Sequence, residues 1–152
     1  MKTLLISMFL ILTLWSCNKS KDANLKAENT SKPTLEGTWE LVGYYNYLDN
    51  KIIDSFKLSN GYRQVKMYTS SKVMWSKDVP TDSTEWFGFG HYKATDSSLT
   101  ETLDYGSNMM RDIISERKAF IYELELSNKR YSQIELDEEG NRIYSENYLR
   151  IE

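Results

Sequence analysis

The chain has 152 residues, 13% of them aromatic, with 19 Lys and Arg against 22 Asp and Glu, and its formal net charge is −3. This mildly acidic balance is not typical of a nucleic-acid-binding protein, and the length fits a single main domain. One histidine and one cysteine exclude a histidine-rich metal site and an internal disulfide, and they leave little for general-base catalysis.

Residues 1–16 have the parts of an export signal. Lys2 supplies a positive charge, residues 4–15 are almost wholly apolar, and a small residue precedes Cys17. An apolar run of about a dozen residues has the length of a signal-peptide core, whereas a membrane-spanning helix takes about 20 residues. The segment resembles a bacterial lipoprotein signal with the lipobox Leu14-Trp15-Ser16-Cys17. The resemblance implies cleavage before Cys17 and acylation of its sulfur; the alternative is an ordinary secretory signal with a chance cysteine.

Residues 17–34 follow as a polar segment with no aromatic residue and little that is apolar beyond Leu25. This composition predicts a flexible, solvated tether that holds a folded domain away from the lipid surface. Asn18 stands where an aspartate is the best-known signal for retention at the inner membrane. By analogy, we expect a lipid-anchored protein of the cell envelope, in the outer membrane, on its periplasmic or surface face.

From Leu35 to the C-terminus the apolar residues recur with a period of two, which is typical of β-strands. The predicted strands are 37–47, 51–58, 62–68, 72–77, 85–94, 99–105, 118–127, 130–137 and 142–151. Turn residues such as Asn60-Gly61 connect them. Short strands with tight links favour an antiparallel up-and-down meander, which avoids exposed edges by closing into a barrel. We therefore predict an all-β barrel of eight or nine strands over residues 35–152.

Residues 107–116 depart from this alternation. Met109, Met110, Ile113 and Ile114 follow the spacing of a short helix or a flap with one apolar face. The segment is either a lid packed on the end of the barrel or a mobile gate over a cavity, with adaptable methionine side chains facing a ligand.

Gly37-Thr38-Trp39 opens the first predicted strand, and Arg150 lies in the last. This combination resembles the lipocalin and fatty-acid-binding superfamily, which implies that the arginine packs across the indole and closes one end of the barrel. The segments Phe87–Tyr92, Leu99–Thr102 and Glu146–Arg150 resemble more specifically the small lipocalin-like domains of bacterial envelope lipoproteins. The resemblance covers residues 35–152 and implies a fold more firmly than a task.

Alternation also assigns side chains to the barrel interior. With Trp39 inward, Leu41, Gly43 and Tyr45 share its side. The aromatic and polar residues assigned to the interior are Trp39, Trp75, Tyr92, Glu101, Tyr105, Gln133, Glu146, Tyr148 and Arg150. An unpaired buried charge is very costly, so Glu101, Glu146 and Arg150 are expected to pair with one another, to be solvated in a cavity, or both.

Glycines on the same inward faces bear on the free volume. Gly43, Gly88 and Gly90 either leave room for a ligand or relieve curvature at a corner of the barrel. The lone histidine, His91, falls on the opposite face of its strand and is expected outside. No Gly-rich phosphate loop, Gly-x-Ser-x-Gly elbow or paired-cysteine motif occurs. We therefore predict no enzymatic activity, no cofactor and no metal.

Two non-enzymatic hypotheses follow. In the first, the nine interior residues listed above bind a small, partly apolar ligand with a polar or charged head. In the second, the barrel core is filled and exposed aromatics such as Tyr44, Trp86 and Phe89 contact another envelope protein. A cavity above about 300 Å³ favours the first hypothesis, and a filled interior favours the second.

Replacing Cys17 tests the anchor. The Cys17→Ala variant is expected to be exported without lipid, because the thioether needs that sulfur. Metabolic labelling with an acyl-chain probe measures this, with wild type as the reference. Equal labelling of the two chains would rule out the lipoprotein assignment.

Overall fold

The computed structural model of the protein describes residues 32–59 and 61–152. Cys17, the predicted export signal and the predicted tether up to residue 31 lie outside the described residues. The described chain forms nine β-strands and one α-helix. They are β1 Gly37–Leu48, β2 Lys51–Phe56, β3 Arg63–Tyr68, β4 Lys72–Asp78, β5 Trp86–Ala94, β6 Ser98–Gly106, α1 Asn108–Glu116, β7 Ala119–Leu126, β8 Arg130–Leu136 and β9 Arg142–Arg150. Every predicted strand is present, with ends that differ by at most two residues.

The strands form one antiparallel sheet that closes into a ring. Consecutive strands pair from β3 through β9. The last strand then pairs with β1, from Trp39 opposite Arg150 to Asn46 opposite Tyr144. Closure supplies hydrogen-bond partners to backbone groups that an open sheet would leave at its edges. The predicted all-β, antiparallel barrel is confirmed.

The strands β2 and β3 share one edge of β1, and this interrupts the simple up-and-down order. β3 pairs with the start of β1, at residues 37–40, whereas β2 pairs with its end, at residues 44–48. Asp49 and Asn50 join β1 to β2 with positive φ angles of 51° and 60°, which suit a tight hairpin turn. The other edge of β2 pairs with no described strand, and all six residues of β2 are exposed.

Two β-bulges change which side chains face the interior. A bulged residue shifts the alternation by one, so the later side chains move to the other face. Opposite β9, the bulge at Val42 turns Tyr44 inward, where simple alternation places Tyr45. Opposite β5, the bulge at Asp104 turns Tyr105 outward, and Tyr105 is 54% exposed. The expectation that Tyr105 faces the interior is therefore wrong.

One end of the barrel is sealed around Trp39, whose side chain is completely buried. The indole N–H donates to the carbonyl of Leu35 at 2.7 Å, and the edge of the Tyr131 ring packs against the indole with centroids 4.8 Å apart. The guanidinium of Arg150 lies 4.0 Å from the centre of the indole. This is the cation–π contact that the two motifs predict.

Arg150 also fixes the chain where it enters the barrel. Its guanidinium donates to the backbone carbonyls of Thr34, Glu36 and Asn128. These bonds join the last strand to the residues before β1 and to the turn before β8. Since the planar guanidinium carries five donors in a fixed fork, one side chain holds three backbone segments across this end.

The helix α1 packs on β5 and β6 near the opposite end of the barrel. Met110 and Ile114, one turn apart, face the barrel and are buried, whereas Met109 on the other side of the helix is 46% exposed. The predicted short helix is therefore present, and it packs as a lid. No helix among the described residues has the length and apolarity needed to cross a bilayer.

Truncating Trp39 is expected to destabilise the closed end. Trp39→Ala should lower the free energy of unfolding by about 3–5 kcal/mol, the usual cost of deleting a large buried aromatic. Arg150→Ala should cost less, and the two losses should not add because the side chains touch. Equilibrium urea denaturation of the single and double variants of the full chain measures all three values. Full additivity would contradict an energetic contact between the two residues.

Candidate ligand-binding cavity

A cavity of about 210 Å³ lies inside the barrel, between α1 and a floor of polar side chains. Its walls come from seven strands and the helix, so no single segment of the chain defines it. The residues that line it are Gln64, Lys66, Trp75, Lys77, Trp86, Glu101, Leu103, Met110, Ile113, Phe120, Tyr122, Gln133 and Glu146. One part of this lining is aromatic and aliphatic, and the other part carries charges and amides.

Strand alternation positions most of this lining. On β3 the inward residues are Gln64, Lys66 and Tyr68, and all are buried. On β4 the same alternation turns Trp75 and Lys77 inward. Because successive side chains of a strand point to opposite faces, a lysine two residues after a core residue enters the interior even though its charge favours water.

The floor is built on a buried ion pair. The ammonium of Lys66 lies 3.0 Å from both carboxylate oxygens of Glu101 and donates to the side-chain oxygen of Gln133 at 2.7 Å. Lys66 and Glu101 are each 3% exposed or less. Burial raises the pKa of Tyr68, and the charge of Glu101 raises it further, so the phenol stays protonated and donates to Glu101 at 2.5 Å.

Glu146 forms the second part of the floor. Three donors converge on its Oε2 atom: the amides of Gln64 and Gln133, at 3.2 and 3.0 Å, and the hydroxyl of Tyr148, at 2.5 Å. Its Oε1 atom accepts no hydrogen bond from a described residue, and it is not sealed from solvent. Burial and the charge of Glu146 raise the pKa of Tyr148, so this phenol also acts as a donor.

Lys77 brings a second cation to the cavity. Its ammonium forms no hydrogen bond or ion pair with any described residue, and it lies 5.6 Å from the ring centre of Trp75 and 5.8 Å from that of Trp86. Burial lowers the pKa of Lys77; the carboxylate of Glu146 opposes this shift, and the charge of Lys66 adds to it. Aromatic faces attract a cation but accept no conventional hydrogen bond from it, so Lys77 keeps its donors available.

The apolar part of the cavity faces α1. Met110 and Ile113 of the helix and Leu103 of β6 line it together with the aromatic rings of Phe120 and Tyr122 from β7. Methionine side chains adapt to irregular shapes, and aromatic rings provide large flat surfaces. A ligand in this space would meet apolar groups beneath the helix and charged groups at the floor.

The structure brings together four of the nine residues that the sequence assigns to a ligand site. Trp75, Glu101, Gln133 and Glu146 all line the cavity. Tyr148 lies directly behind Glu146, with its hydroxyl bonded to that carboxylate and to Gln64. Tyr148 therefore supports the floor without lining the cavity.

The other four predicted residues lie elsewhere. Trp39 and Arg150 form the sealed end described above. Tyr92 packs against Tyr68 near that end and donates to the carbonyl of Thr69 at 2.8 Å; it lines a separate, solvent-open groove of about 620 Å³ beside residues 32–36. Tyr105, turned outward by its bulge, packs against Phe89 on the outer face with ring centroids 5.3 Å apart.

The expectation that Arg150 pairs with Glu101 or Glu146 is wrong. Arg150 does not reach Glu101 or Glu146, because its guanidinium is occupied by Trp39 and by backbone carbonyls. Lys66 neutralises Glu101 instead. His91 lies on the outer face as expected, with its Nδ1 atom 3.3 Å from a carboxylate oxygen of Asp104.

The three glycines that the sequence assigns to the interior do not leave empty space. A Cβ atom on Gly88 would lie 2.9 Å from the indole of Trp75, so the missing side chain is replaced by that ring. Gly90 lies against the backbone of Thr102 and Leu103 beside the bulge. Gly43 follows the bulge at Val42 and faces outward opposite Asn147, so its assignment to the interior is wrong; it lies against the carbonyl of Phe56. Close approach of neighbouring groups therefore explains all three glycines.

Sequence reasoning missed both lysines and Gln64. The signal was available, since Gln64, Lys66 and Tyr68 occupy alternate positions, and Lys77 follows Trp75 by two. Lysines are almost never fully buried unless they are paired, which favours an outward assignment for any lysine taken alone. Trp86 and Tyr44 were both predicted to be exposed contact residues. Trp86 instead lines the cavity. Tyr44 turns inward, and its hydroxyl lies 2.8 Å from that of Tyr62.

Comparison with known protein families and with curated proteins finds no match to the chain. Among solved structures, the chain is similar to the crystal structure of an uncharacterised protein from Bacteroides eggerthii. The two share 16% sequence identity, with a TM-score of 0.50, and the match covers 77% of this chain and 99% of the other. A likeness at this level of identity concerns the fold alone.

Breaking the buried ion pair is expected to be costly. Lys66→Met should lower the free energy of unfolding by about 3–5 kcal/mol, because it leaves Glu101 buried without its cation. Arg63→Met is the matched control on the same strand: it removes an ion pair with Glu40 whose side chains are 60% and 34% exposed, so it should cost about 1 kcal/mol or less.

Urea denaturation of the full chain compares these variants with the double variant Lys66→Met and Glu101→Leu, which should recover part of the loss. If Lys66→Met costs no more than Arg63→Met, the ion pair does not stabilise the interior.

Proposed function

We propose that this protein is a membrane-anchored, lipocalin-like lipoprotein whose barrel binds a small, partly apolar ligand with a polar or charged head. The observation that carries the proposal is the cavity, whose lining combines the apolar groups of Trp86, Phe120 and Ile113 with the charged groups of Lys77 and Glu146. An apolar pocket with a few converging polar groups is the usual form of a small-molecule site.

The size of the cavity limits the ligand. A volume of about 210 Å³ does not reach the value of about 300 Å³ that would favour ligand binding on size alone, and it lies below the range of about 300–1,000 Å³ that is common for drug-sized ligands. It exceeds the cavity of about 150 Å³ that accepts a benzene molecule in an engineered protein core. The site therefore suits a molecule with one ring or a short branched chain, and it does not suit a sterol or a long-chain lipid.

Binding accounts for the site better than catalysis. The only histidine of the chain, His91, is on the outer face beside Asp104. No cluster of three or more His, Cys, Asp or Glu side chains among the described residues has the arrangement of a metal site. Within the cavity, Glu101 is already neutralised by Lys66.

The envelope location rests on the N-terminal segment. The lipobox Leu14-Trp15-Ser16-Cys17 supports acylation of Cys17, and Asn18 favours the outer membrane by analogy. Stable anchoring takes more than one acyl chain, and a triacylated cysteine meets this condition. The Trp39–Arg150 contact supports the likeness to lipocalins.

Filling the cavity is expected to abolish binding. The full chain in lipid nanodiscs is titrated by calorimetry with isovalerate, phenylacetate and L-phenylalanine, with empty nanodiscs as the blank. Ile113→Trp should weaken any saturable binding at least about tenfold, which is 1.4 kcal/mol, because the indole occupies the cavity. Met109→Trp is the matched control on the same helix: Met109 does not line the cavity, so this variant should bind like wild type.

Tryptophan fluorescence adds a positional readout. Trp75 and Trp86 line the cavity, whereas Trp39 is sealed at the other end. The ligand-induced change should survive in Trp39→Phe and disappear in the double variant Trp75→Phe and Trp86→Phe. Absence of saturable binding by every compound, together with native mass spectra showing no co-purified small molecule, would contradict the proposal.

One observation favours the alternative function, an envelope protein–protein interaction module. Ile52, Ile53 and Phe56 of β2 are 55%, 62% and 48% exposed, and the outer edge of β2 pairs with no described strand. Exposed apolar strand edges are sites where another chain can add a strand. This surface is separate from the cavity.

Site-specific photocrosslinking in cells tests this alternative. A benzophenone side chain at Phe56 should capture a defined envelope protein, and one at exposed Glu125 on β7 should not. Equal crosslinking at both positions, or at neither, would remove the basis for β2 as a binding edge.

A further inference from the structure

Two opposite charges inside the cavity have no ion-pair partner among the described residues. Lys77 forms no ion pair or hydrogen bond with a described residue, and the Oε1 atom of Glu146 accepts no hydrogen bond from one. Both residues line the same cavity, yet no ion pair joins them. Lys66 and Glu101, by contrast, form a closed pair with contacts of 3.0 Å. The interior therefore contains one ion pair, Lys66 with Glu101, and two opposite charges, Lys77 and Glu146, that are not paired with each other.

Lys77 and Glu146 together favour a ligand whose polar head carries both a negative and a positive charge. A simple anion drawn to Lys77 would meet the carboxylate of Glu146 nearby, and a simple cation drawn to Glu146 would meet Lys77 and Lys66. Burial lowers the pKa of Lys77, and the charge of Glu146 opposes this shift. A head that carries both charges satisfies the two residues at once, and charge-assisted hydrogen bonds are the strong ones in a partly desolvated site.

The rest of the cavity limits what is attached to this head. Leu103, Ile113 and Phe120 present carbon atoms to the space beneath α1. The volume of about 210 Å³ admits one ring or one branched aliphatic group beside a compact head. An extended acyl chain has no room.

We infer that the ligand is a zwitterionic small molecule of the α-amino acid type, whose carboxylate binds Lys77, whose ammonium binds Glu146 Oε1, and whose aromatic or branched side chain lies beneath α1. This inference rests on the proposed ligand-binding function and names its ligand class. The aromatic faces of Trp75 and Trp86 hold the Lys77 ammonium at the cavity, so the ligand's carboxylate meets a positioned cation.

Three matched ligands test the two charges. L-Phenylalanine carries both, 3-phenylpropionate lacks the ammonium, and 2-phenylethylamine lacks the carboxylate. Calorimetric titration of the full chain in nanodiscs should show L-phenylalanine binding at least about tenfold more tightly than either analogue. Equal affinity for all three, or no binding of L-phenylalanine, would overturn the zwitterion assignment.

Variants of the two charged residues assign each half of the head. Lys77→Met should weaken L-phenylalanine and 3-phenylpropionate at least about tenfold. It should not weaken 2-phenylethylamine, because the ammonium of that ligand no longer meets a like charge at Lys77. Glu146→Gln should weaken L-phenylalanine and 2-phenylethylamine at least about tenfold, and it should not weaken 3-phenylpropionate. Lys77→Arg should restore most of the affinity because it restores the cation, and a thermal melt of each variant shows that it is folded. Lys72→Met, on the outer face of the same strand with its ammonium near Asp104, is the control and should bind like wild type.

The outcomes separate this inference from the proposed function. Tighter binding of isovalerate or phenylacetate than of L-phenylalanine, lost in Ile113→Trp, would keep a ligand site and overturn the zwitterionic head. Binding of L-phenylalanine that Ile113→Trp leaves intact would overturn both, because the ligand would then lie outside the cavity.

Discussion

The polar interior of the barrel depends on neutralising Lys66, a cation with 3% of its surface exposed. A buried ion pair is a weak source of net stability because each charge has lost its water, but a buried charge without a partner is far worse. Glu101 on β6 supplies the opposite charge, and Gln133 on β8 supplies a further acceptor. Three strands that are distant in sequence must therefore meet in one register. From this centre the hydrogen bonds continue through Gln133 to Glu146.

The strand pattern was predictable because it depends on local features. Side chains alternate with a period of two, and turn residues such as Asp49 and Asn50 occur where the chain reverses, so each strand could be located from its own residues. The closing contact was predictable for a different reason. Trp39 and Arg150 follow a pattern known from a superfamily, and the β1–β9 ladder sets the two residues opposite each other. Trp75, Glu101 and Gln133, three of the four predicted residues that line the cavity, lie on strands where no bulge precedes them. Glu146 follows a bulge at Ile143, but no bulge of β9 separates it from Tyr148 and Arg150, whose alternation it shares.

The remaining placements depend on contacts between strands, which single-strand patterns do not contain. The bulge at Asp104 is defined by its mismatch with β5, so nothing within β6 itself predicts that Tyr105 turns outward. The burial of Lys66 is likewise defined by Glu101 across the barrel. The sequence of β5 alone suggests that Gly88 leaves free space in the interior, yet the indole of Trp75 from the neighbouring strand fills that space. Alternation within a strand predicts which residues share a face. Contacts with neighbouring strands determine whether that face turns inward and which groups fill the space beside it.

The bonds of Arg150 have a kinetic consequence. Its guanidinium binds the carbonyl of Thr34 across a sequence separation of 116 residues, and the β1–β9 ladder joins the two ends of the domain. A chain that is synthesised or threaded from its N-terminus cannot form this ladder until β9 has emerged. Contacts of such high sequence separation slow folding, because the entropy of closing a long loop is lost before the contacts form. The nascent domain therefore stays open until β9 has emerged, with the aromatic residues around Trp39 accessible to chaperones.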